Sequence, residues 1–188
     1  DQIKVGDKVV VKGDLVNFMG NTIEMTQGSQ IVSLNNGGAS VTTGLSATFK
    51  DGLDNFTIKD VTLGEGATYV WKHDATNGYM KASAYVNKVN VPCQSRLVSP
   101  AFSLEGLTKA TLTFQHAGKF FGKNKGDMAK EIQVLASTDG VNWKEVAISG
   151  YPSGADWTFV EGTCDLSAFA GQKTVYIAFQ YTSTSEAA

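Results

Sequence analysis

WTFVEGTCDLSAFAGQKTVYIAFQY, residues 157–181, holds two alternating segments on either side of a short turn. In VYIAFQY (175–181) the odd-numbered residues are Val, Ile, Phe and Tyr, and they fall on one side of an extended chain. A period of two indicates a β-strand with one face on a core. Between the segments, Asp165 can cap a single helical turn with its carboxylate, and Gly171 stands where the backbone must leave that turn. The stretch predicts a sheet scaffold and no particular reaction.

Alternating segments of the same kind fill the chain from about residue 47 onward. Those predicted as strands are FTIKDVTL (56–63), ATYVWKH (67–73), YMKASAYV (79–86), RLVSPAFSL (96–104), ATLTFQHAG (110–118), EIQVLAST (131–138) and WKEVAIS (143–149). No helical period of useful length interrupts them. Many strands without a helix predict an all-β fold, namely a two-sheet β-sandwich of jelly-roll type.

The first part of the chain is predicted to be a separate β segment. Residues 1–36 contain four short runs, KVVVKG, DLVNF, NTIEMT and QIVSL, with Gly, Asn and Asp in the turns between them. So few residues cannot enclose a core alone. NNGGAS (35–40) is glycine-rich and uncharged, which is typical of a linker. The expected division is a β segment over 1–36, a linker over 37–46 and the sandwich over 47–188.

Composition excludes several classes of protein. The chain has 188 residues, of which 42% are hydrophobic, and its formal net charge is -2. The apolar content permits a buried core, and the near-neutral charge gives no reason to expect nucleic acid or an anionic membrane as partner. No apolar run approaches the length of a membrane span, and DQIKVGD at the start does not resemble a signal peptide. We therefore expect a mature or trimmed piece that does not insert into a membrane.

The two cysteines, Cys93 and Cys164, do not form a disulfide framework. No CxxC pair exists and only two histidines are present, which argues against a zinc site. Two isolated buried thiols are the expected state, and a single disulfide is the alternative.

Four segments in the second part of the chain resemble a known family. They are LVSPAFSLEGL (97–107), TLTFQHAGKF (111–120), VLASTDGVNWKEV (134–146) and the stretch from residue 157 to the end. They look like the choice-of-anchor J domain, which is related to the cleaved-adhesin and MAM-like jelly rolls. The resemblance covers roughly Phe49 to the end, and it specifies fold more than activity.

This resemblance implies a secreted or cell-surface protein, often a bacterial lipoprotein whose anchor lies outside this segment. It also implies a jelly roll that here lacks its last strand. VGDKVVVKGDLVNFMGNTIEMTQGSQIV (5–32) is similar to the second half of an OB-fold-like domain, so residues 1–36 are predicted to be a partial OB-like segment.

One motif has the form of a recognised turn. STDGVNW (137–143) matches the Asp-box pattern of a β-hairpin. In that pattern Asp139 accepts hydrogen bonds from the turn backbone, Gly140 takes a left-handed conformation, and Trp143 packs over the hairpin. The motif favours a folding role over a catalytic one.

Catalytic constellations are missing from the sequence. His116 is in phase with the apolar residues of its strand, which favours a structural histidine, and His73 and Asp74 point to opposite faces because they are adjacent. The chain has no GxSxG, HExxH, phosphate-loop or Glu-x-Asp-x-x-Glu motif. We expect no enzyme activity and assign no catalytic residue.

Calcium is a possible ligand that the resemblance suggests, because related jelly rolls often clip their terminal strands with a cation held by oxygen atoms. Asp51, Asp54 and Asn55 in KDGLDNF are the candidate ligands. The competing interpretation, which we favour, is that Asp51 and Gly52 form a turn and Asp54 is a solvated surface charge. No other cofactor is expected.

Aromatic side chains supply the candidate binding residues. Sugar-binding jelly rolls stack the apolar face of a pyranose ring on exposed Trp or Tyr. Tyr69, Trp71, Tyr79 and Tyr85 lie close together in sequence, and Phe120 and Phe121 open the loop KFFGKNKGD. Most of these rings are expected in the core. The residues selected as ligand-binding candidates are Trp71, Tyr79, Phe120 and Phe121.

These observations favour a non-catalytic binding or adhesion module at a cell surface, with glycan or a surface protein as partner. The alternative is an architectural spacer without a ligand of its own. Nucleic-acid binding through the OB-like segment ranks last, because Lys4, Lys8 and Lys12 are offset there by acidic residues.

Overall fold

A computed structural model describes residues 9–12, 15–18, 22–25, 30–34, 42–120 and 127–188, with side chains described from residue 43 onward. The chain divides into two compact units, Asp1–Val41 and Thr42–Ala188. The smaller unit contains β1 (Val9–Lys12), β2 (Leu15–Phe18), β3 (Thr22–Met25) and β4 (Gln30–Leu34). β1 pairs with β4 and β2 pairs with β3, both antiparallel. These four segments coincide with the runs predicted as strands.

The regular secondary structure of the larger unit is almost all β-strand, which confirms the predicted all-β fold. They are β5 (Thr42–Thr43), β6 (Thr57–Thr62), β7 (Trp71–Asp74), β8 (Tyr79–Ala82), β9 (Tyr85–Val86), β10 (Val89–Asn90), β11 (Gln94–Val98), β12 (Phe102–Ser103), β13 (Thr111–His116), β14 (Ile132–Ser137), β15 (Lys144–Val146), β16 (Val160–Asp165) and β17 (Tyr176–Thr182). The helical elements among its described residues are one short α-helix, α1 (Met128–Glu131), and a 3-10 turn (Ser167–Phe169).

Five strands form the main sheet, in the order β15-β14-β17-β11-β6, and each neighbouring pair is antiparallel. β13 and β16 pair antiparallel in a second layer. Hairpins β7–β8 and β9–β10 and the parallel pair β5–β12 complete the unit. In the second layer Gly162 faces Phe114, and a Cβ on Gly162 would come within 2.7 Å of that ring. The missing side chain at Gly162 leaves room for the Phe114 ring, which would have to shift if a Cβ were added.

The main core lies between the five-stranded sheet and the β13–β16 layer. It includes Val134 and Ile177 of the five-stranded sheet and Cys164 of β16. Phe102 of β12, which pairs with Val175 just before β17, packs in the same cluster. The odd-numbered face of β17 therefore meets a core, as its period of two predicts. The even-numbered face is partly covered as well, because Ala178 packs in a small cluster near Trp143 and Gln180 is only 6% exposed. We define this second surface as the outer face of the sheet.

RLVSPAFSL was predicted as one strand, and the structure breaks it into β11 and β12. Pro100 has no N–H to donate to a ladder. At the break, the Ser99 hydroxyl accepts a hydrogen bond from the Ile177 N–H at 2.9 Å and donates to the Pro100 carbonyl at 2.8 Å. A side chain thus replaces the backbone partner that Ile177 would otherwise find in the strand.

Both turns predicted from local sequence are confirmed. The Asp165 carboxylate accepts from the Ser167 N–H at 2.8 Å at the start of the 3-10 turn, and Gly171 leaves that turn at φ +80°. In the β14–β15 hairpin, Asp139 accepts from the N–H groups of Val141 at 2.8 Å and Asn142 at 2.7 Å. These bonds, with the side chain of Asn142, hold the pKa of Asp139 well below its usual range.

The edge strand β6 is exposed along its whole length. Asp60 turns toward the sheet and accepts a hydrogen bond from the Ser95 hydroxyl at 2.6 Å, and the register shifts between Gln94 and Ser95. An inward-pointing charge and an irregular register both discourage another strand from pairing with this edge.

Candidate binding sites

A shallow pocket of about 240 Å³ lies between the segment before β7 and the β9–β10 hairpin. Two tyrosines line it, Tyr69 with 51% of its surface exposed and Tyr85 with 58%. Thr68, Ser83 and Asn87 add two hydroxyls and an amide to the same lining. We call this site the tyrosine pocket. Its mixture of exposed rings and neutral hydrogen-bonding groups suits a ligand that has both apolar faces and hydroxyls.

The hairpin that forms one wall of the tyrosine pocket has an uncommon residue in its turn. Val86 pairs with Val89, so Asn87 and Lys88 are the two loop residues, and both have positive φ, +50° and +67°. A two-residue turn of this type matches the twist of the strands but favours Asn or Gly at both positions. Lys88 holds this conformation without being glycine, which is a local strain of a kind that often accompanies binding sites.

A second aromatic surface lies beside the loop that begins at Phe120. Phe120 is 57% exposed and Trp157 is 59% exposed, and their ring centroids are 6.0 Å apart with the planes nearly perpendicular, at 86°. An isolated parallel bridge between Lys119 and Gly154 holds the two segments together. We call this pair the aromatic corner. Because its rings are not coplanar, it suits one ring or a chain end better than a flat, extended polymer.

The aromatic residues predicted to bind a ligand differ in their exposure and in their contacts. Trp71 is only half-buried, but its indole N–H donates to the Ser95 carbonyl at 3.3 Å and its ring packs against a buried cluster that includes Val70 and Tyr181. Tyr79 is also half-buried, with its ring 5.8 Å from that of Phe159. Phe120 belongs to the aromatic corner, and Phe121 lies outside the described residues. The indole N–H of Trp71 is therefore engaged within the unit.

Trp157 and Phe159 were not among the predicted site residues. The sequence suggested a strand beginning at Trp157, whereas β16 begins at Val160, so both rings lie in the loop before the strand. The signal that could have identified them is the preceding YPSGAD, whose Pro, Gly and Asp are turn residues. Asp156 accepts a hydrogen bond from the Thr158 N–H at 2.8 Å, which fixes the loop between the two rings.

Asp54, one of the three candidate calcium ligands, is hydrogen-bonded within its own loop. Asp54 accepts from the N–H groups of Thr48 at 2.6 Å and Phe49 at 2.7 Å, and these bonds lower its pKa. Asp51 and Asn55 are exposed. Over the ranges with described side chains, no three His, Cys, Asp or Glu side chains gather as a metal site would require. Asp54 closes its own loop, which is a structural role beyond that of a solvated charge.

The two histidines are separate and each is tied to the backbone. His73 Nε2 lies 2.7 Å from the Phe49 carbonyl, and neighbouring Asp74 accepts instead from Asn77 and pairs with Lys81 at 3.7 Å. His116 Nε2 lies 2.8 Å from the Gly150 carbonyl. Burial lowers the pKa of His116, so it is neutral near pH 7 and its Nε2 donates the hydrogen bond.

Glu131 is the most deeply buried acid among the described residues, at 5% exposure. Its Oε1 accepts from the Asp127 N–H at 3.2 Å while the Asp127 carboxylate accepts from the Ala129 N–H at 3.1 Å, so the two residues cap α1 reciprocally. Burial raises the pKa of Glu131. Its contacts are those of a helix cap.

Both cysteines are free and buried. Cys93 accepts a hydrogen bond from the Gly64 N–H at 3.4 Å, and burial raises the pKa of Cys164 to about 11. The expectation of two isolated buried thiols is confirmed. Within the described residues, no helix has the length and apolar character that crossing a bilayer requires.

Comparison with known proteins gives no match to any family model, curated protein or solved structure. The resemblance to choice-of-anchor J domains, the jelly-roll topology and the OB-like character of the first unit therefore remain predictions from the sequence.

Proposed function

We propose that this chain is a non-catalytic carbohydrate-binding module of a secreted or cell-surface protein. The observation that carries the proposal is the tyrosine pocket, where two half-exposed rings meet three neutral polar side chains. A pyranose presents apolar C–H faces and a rim of hydroxyls, so it needs both kinds of partner at once. The aromatic corner offers a second exposed ring pair of the same chemistry.

The size of the pocket supports recognition of a single sugar unit or a chain end. Its volume of about 240 Å³ is below the range of about 300–1,000 Å³ typical of sites for drug-sized ligands. Lys72 places its ammonium 5.6 Å from the centre of the Tyr69 ring, so one side of that ring already has a cation nearby. Tyr85 is then the ring on which a sugar would stack most freely.

The hydrogen bonds of four aspartates and of His116 support a module without catalysis. Asp54, Asp74, Asp139 and Asp165 each accept hydrogen bonds from backbone N–H groups of their own turns. His116 is fixed to a carbonyl. Groups committed to turns and caps are not free to act as a general acid or base.

The test is a glycan array probed with the whole chain, followed by calorimetric titration of any glycan that binds. Tyr85→Ala is the test variant and Tyr85→Phe, which keeps the ring, is its matched control. Covering one face of the exposed half of the ring removes roughly 50 Å² from water, which is worth about 1.2 kcal/mol, or about tenfold in Kd. Tyr85→Ala should therefore weaken binding about tenfold, and Tyr85→Phe should change it little.

Two results would reject the proposal. One is an array without any bound glycan, which would favour the architectural spacer. The other is binding that survives both Tyr85→Ala and Trp157→Ala, because neither aromatic site could then hold the ligand.

A further inference from the structure

The outer face of the five-stranded sheet carries a continuous chain of polar side chains across four strands. On β11, Arg96 Nε donates to Gln180 Oε1 of β17 at 2.8 Å. Gln180 Nε2 then donates to Gln133 Oε1 of β14 at 2.8 Å, and Gln133 Nε2 donates to Glu145 Oε2 of β15 at 2.8 Å. Arg96, Gln180 and Gln133 are opposite one another in the register, so they share one face of the sheet.

This chain fixes the position of the Arg96 guanidinium. Gln180 is only 6% exposed, so the acceptor of the Nε–H is held by packing. The guanidinium carbon lies 5.7 Å from the centre of the Trp143 ring, which restrains the group from a second side. Arg96 itself is half-buried. An arginine that is already held by its Nε and by an aromatic ring loses little further conformational entropy when it binds a ligand.

The two terminal nitrogens of Arg96 are left open. Among the residues whose side chains the structure describes, the Arg96 side chain has no hydrogen bond apart from the one to Gln180, and no carboxylate is at ion-pair distance. Two parallel N–H groups match the two oxygens of a carboxylate. The acid at the end of the polar chain, Glu145, is separated from Arg96 by two glutamines.

Lys59 strengthens the positive charge at this place. It lies directly opposite Arg96 on the edge strand β6, so both side chains are on the outer face, and Lys59 is exposed. No ion pair to Lys59 occurs in the described part of the chain. Like charges directly opposite each other on a sheet are destabilising, and an anion bound between them would remove that cost.

We propose that Arg96 and Lys59 form a subsite for the carboxylate of an acidic sugar residue, a uronic acid, on the outer face of the sheet. Polar groups suited to sugar hydroxyls lie next to Arg96 on the same face, where Gln94 Nε2 donates to the Thr182 hydroxyl at 3.3 Å. The inference rests on the proposed carbohydrate function and names the class of glycan. A neutral sugar carries no negative charge that could pair with Arg96 and Lys59.

The experiment titrates the whole chain with short oligogalacturonates and, in parallel, with neutral galacto-oligosaccharides of the same length. The test variants are Arg96→Gln and Arg96→Lys, since the second keeps the charge but loses the paired N–H groups, and Lys59→Gln. Lys144→Gln, an exposed lysine on β15 of the same sheet, is the matched control. Thermal melting of each variant confirms that it is folded.

We expect the uronate ligand to bind more tightly than its neutral counterpart at moderate salt. Arg96→Gln should weaken uronate binding about 10- to 100-fold, which corresponds to the loss of charged hydrogen bonds worth about 1.5–3 kcal/mol. Arg96→Lys should lose most of the same affinity, Lys59→Gln a smaller part, and Lys144→Gln none.

Several outcomes overturn the proposal. Equal affinity for the uronate and neutral ligands, no uronate binding, or an unchanged Kd in folded Arg96→Gln would each do so. Displacement of the uronate by an equal concentration of sodium acetate would indicate a general anion site without sugar recognition. Neutral-sugar binding that still depends on Tyr85 would show that only this inference has failed, whereas the loss of all glycan binding would remove the proposed function too.

Discussion

Ser183 joins the end of β17 to the segment that leads into β11, and its replacement by alanine should destabilise the larger unit strongly. The hydroxyl donates to the Val91 carbonyl at 2.6 Å and accepts from the Cys93 N–H at 2.9 Å. The Ser183 N–H also donates to the Cys93 carbonyl at 2.9 Å. Ser183 is 5% exposed, so water cannot readily take over these bonds. Ser183→Ala removes both side-chain bonds and leaves a buried donor and a buried acceptor.

The size of the effect follows from those two groups. A net hydrogen bond is worth about 0.5–1.5 kcal/mol, and leaving a buried polar partner unpaired costs about 1–3 kcal/mol. Because the two estimates partly describe the same loss, we expect a total of about 2–4 kcal/mol. For a unit of this size, that corresponds to a fall in Tm of roughly 5–15 °C.

The measurement is equilibrium unfolding in urea followed by tryptophan fluorescence. All three tryptophans, at positions 71, 143 and 157, lie in the larger unit, so the signal reports that unit alone. Ser185→Ala is the control, since Ser185 is exposed and only two positions away. A loss below about 1 kcal/mol in Ser183→Ala, or one equal to that of the control, would refute the reasoning.

Other predictions concern packing, pH and thiol chemistry. Gly162→Ala should cost about 1–3 kcal/mol in urea unfolding, because the added Cβ would press on the rings of Phe114 and His116, and a change within error would contradict the close approach. The folded pKa of His116 is below 6.5, so the unfolded state binds more protons and stability should fall as pH drops below about 6.5. A His116→Gln variant should show a shallower loss between pH 6.5 and 5.5, and identical slopes would count against a lowered pKa. Cys93 and Cys164 should resist a thiol reagent at pH 8 in the folded protein, and both should react in denaturant without reductant. Fewer than two reactive thiols in denaturant would contradict two free cysteines.

The elements that the sequence predicted correctly depend on short-range interactions. The turn at Asp165 and the Asp139 hairpin are closed by bonds between residues two or three positions apart, so the residues that form them are also neighbours in the chain. The alternation in 175–181 likewise follows from the geometry of a single strand. In RLVSPAFSL the alternation predicted one strand where the structure has two. The break involves the Ser99 hydroxyl, which accepts a hydrogen bond from Ile177, 78 residues away in the chain.

The candidate sites could not be predicted from the sequence, because they are formed by residues that are distant in the chain. Tyr69 and Tyr85 share a pocket because the segment before β7 meets the β9–β10 hairpin, and Phe120 lies beside Trp157 where a bridge joins two loops distant in sequence. Trp71 was selected from its type alone, and the structure occupies its indole N–H within the scaffold. The type of a residue and its position in the alternation of a strand do not predict whether its side chain is exposed to solvent or covered by another segment.

The sequence by itself determined that this protein is made of strands joined by capped turns, because backbone geometry and local hydrogen bonds set both. Only the tertiary structure decided which aromatic rings stay exposed and that Arg96 lies beside Lys59 with its terminal nitrogens open. Those properties arise from strand order and register, which bring together residues that are far apart in the chain.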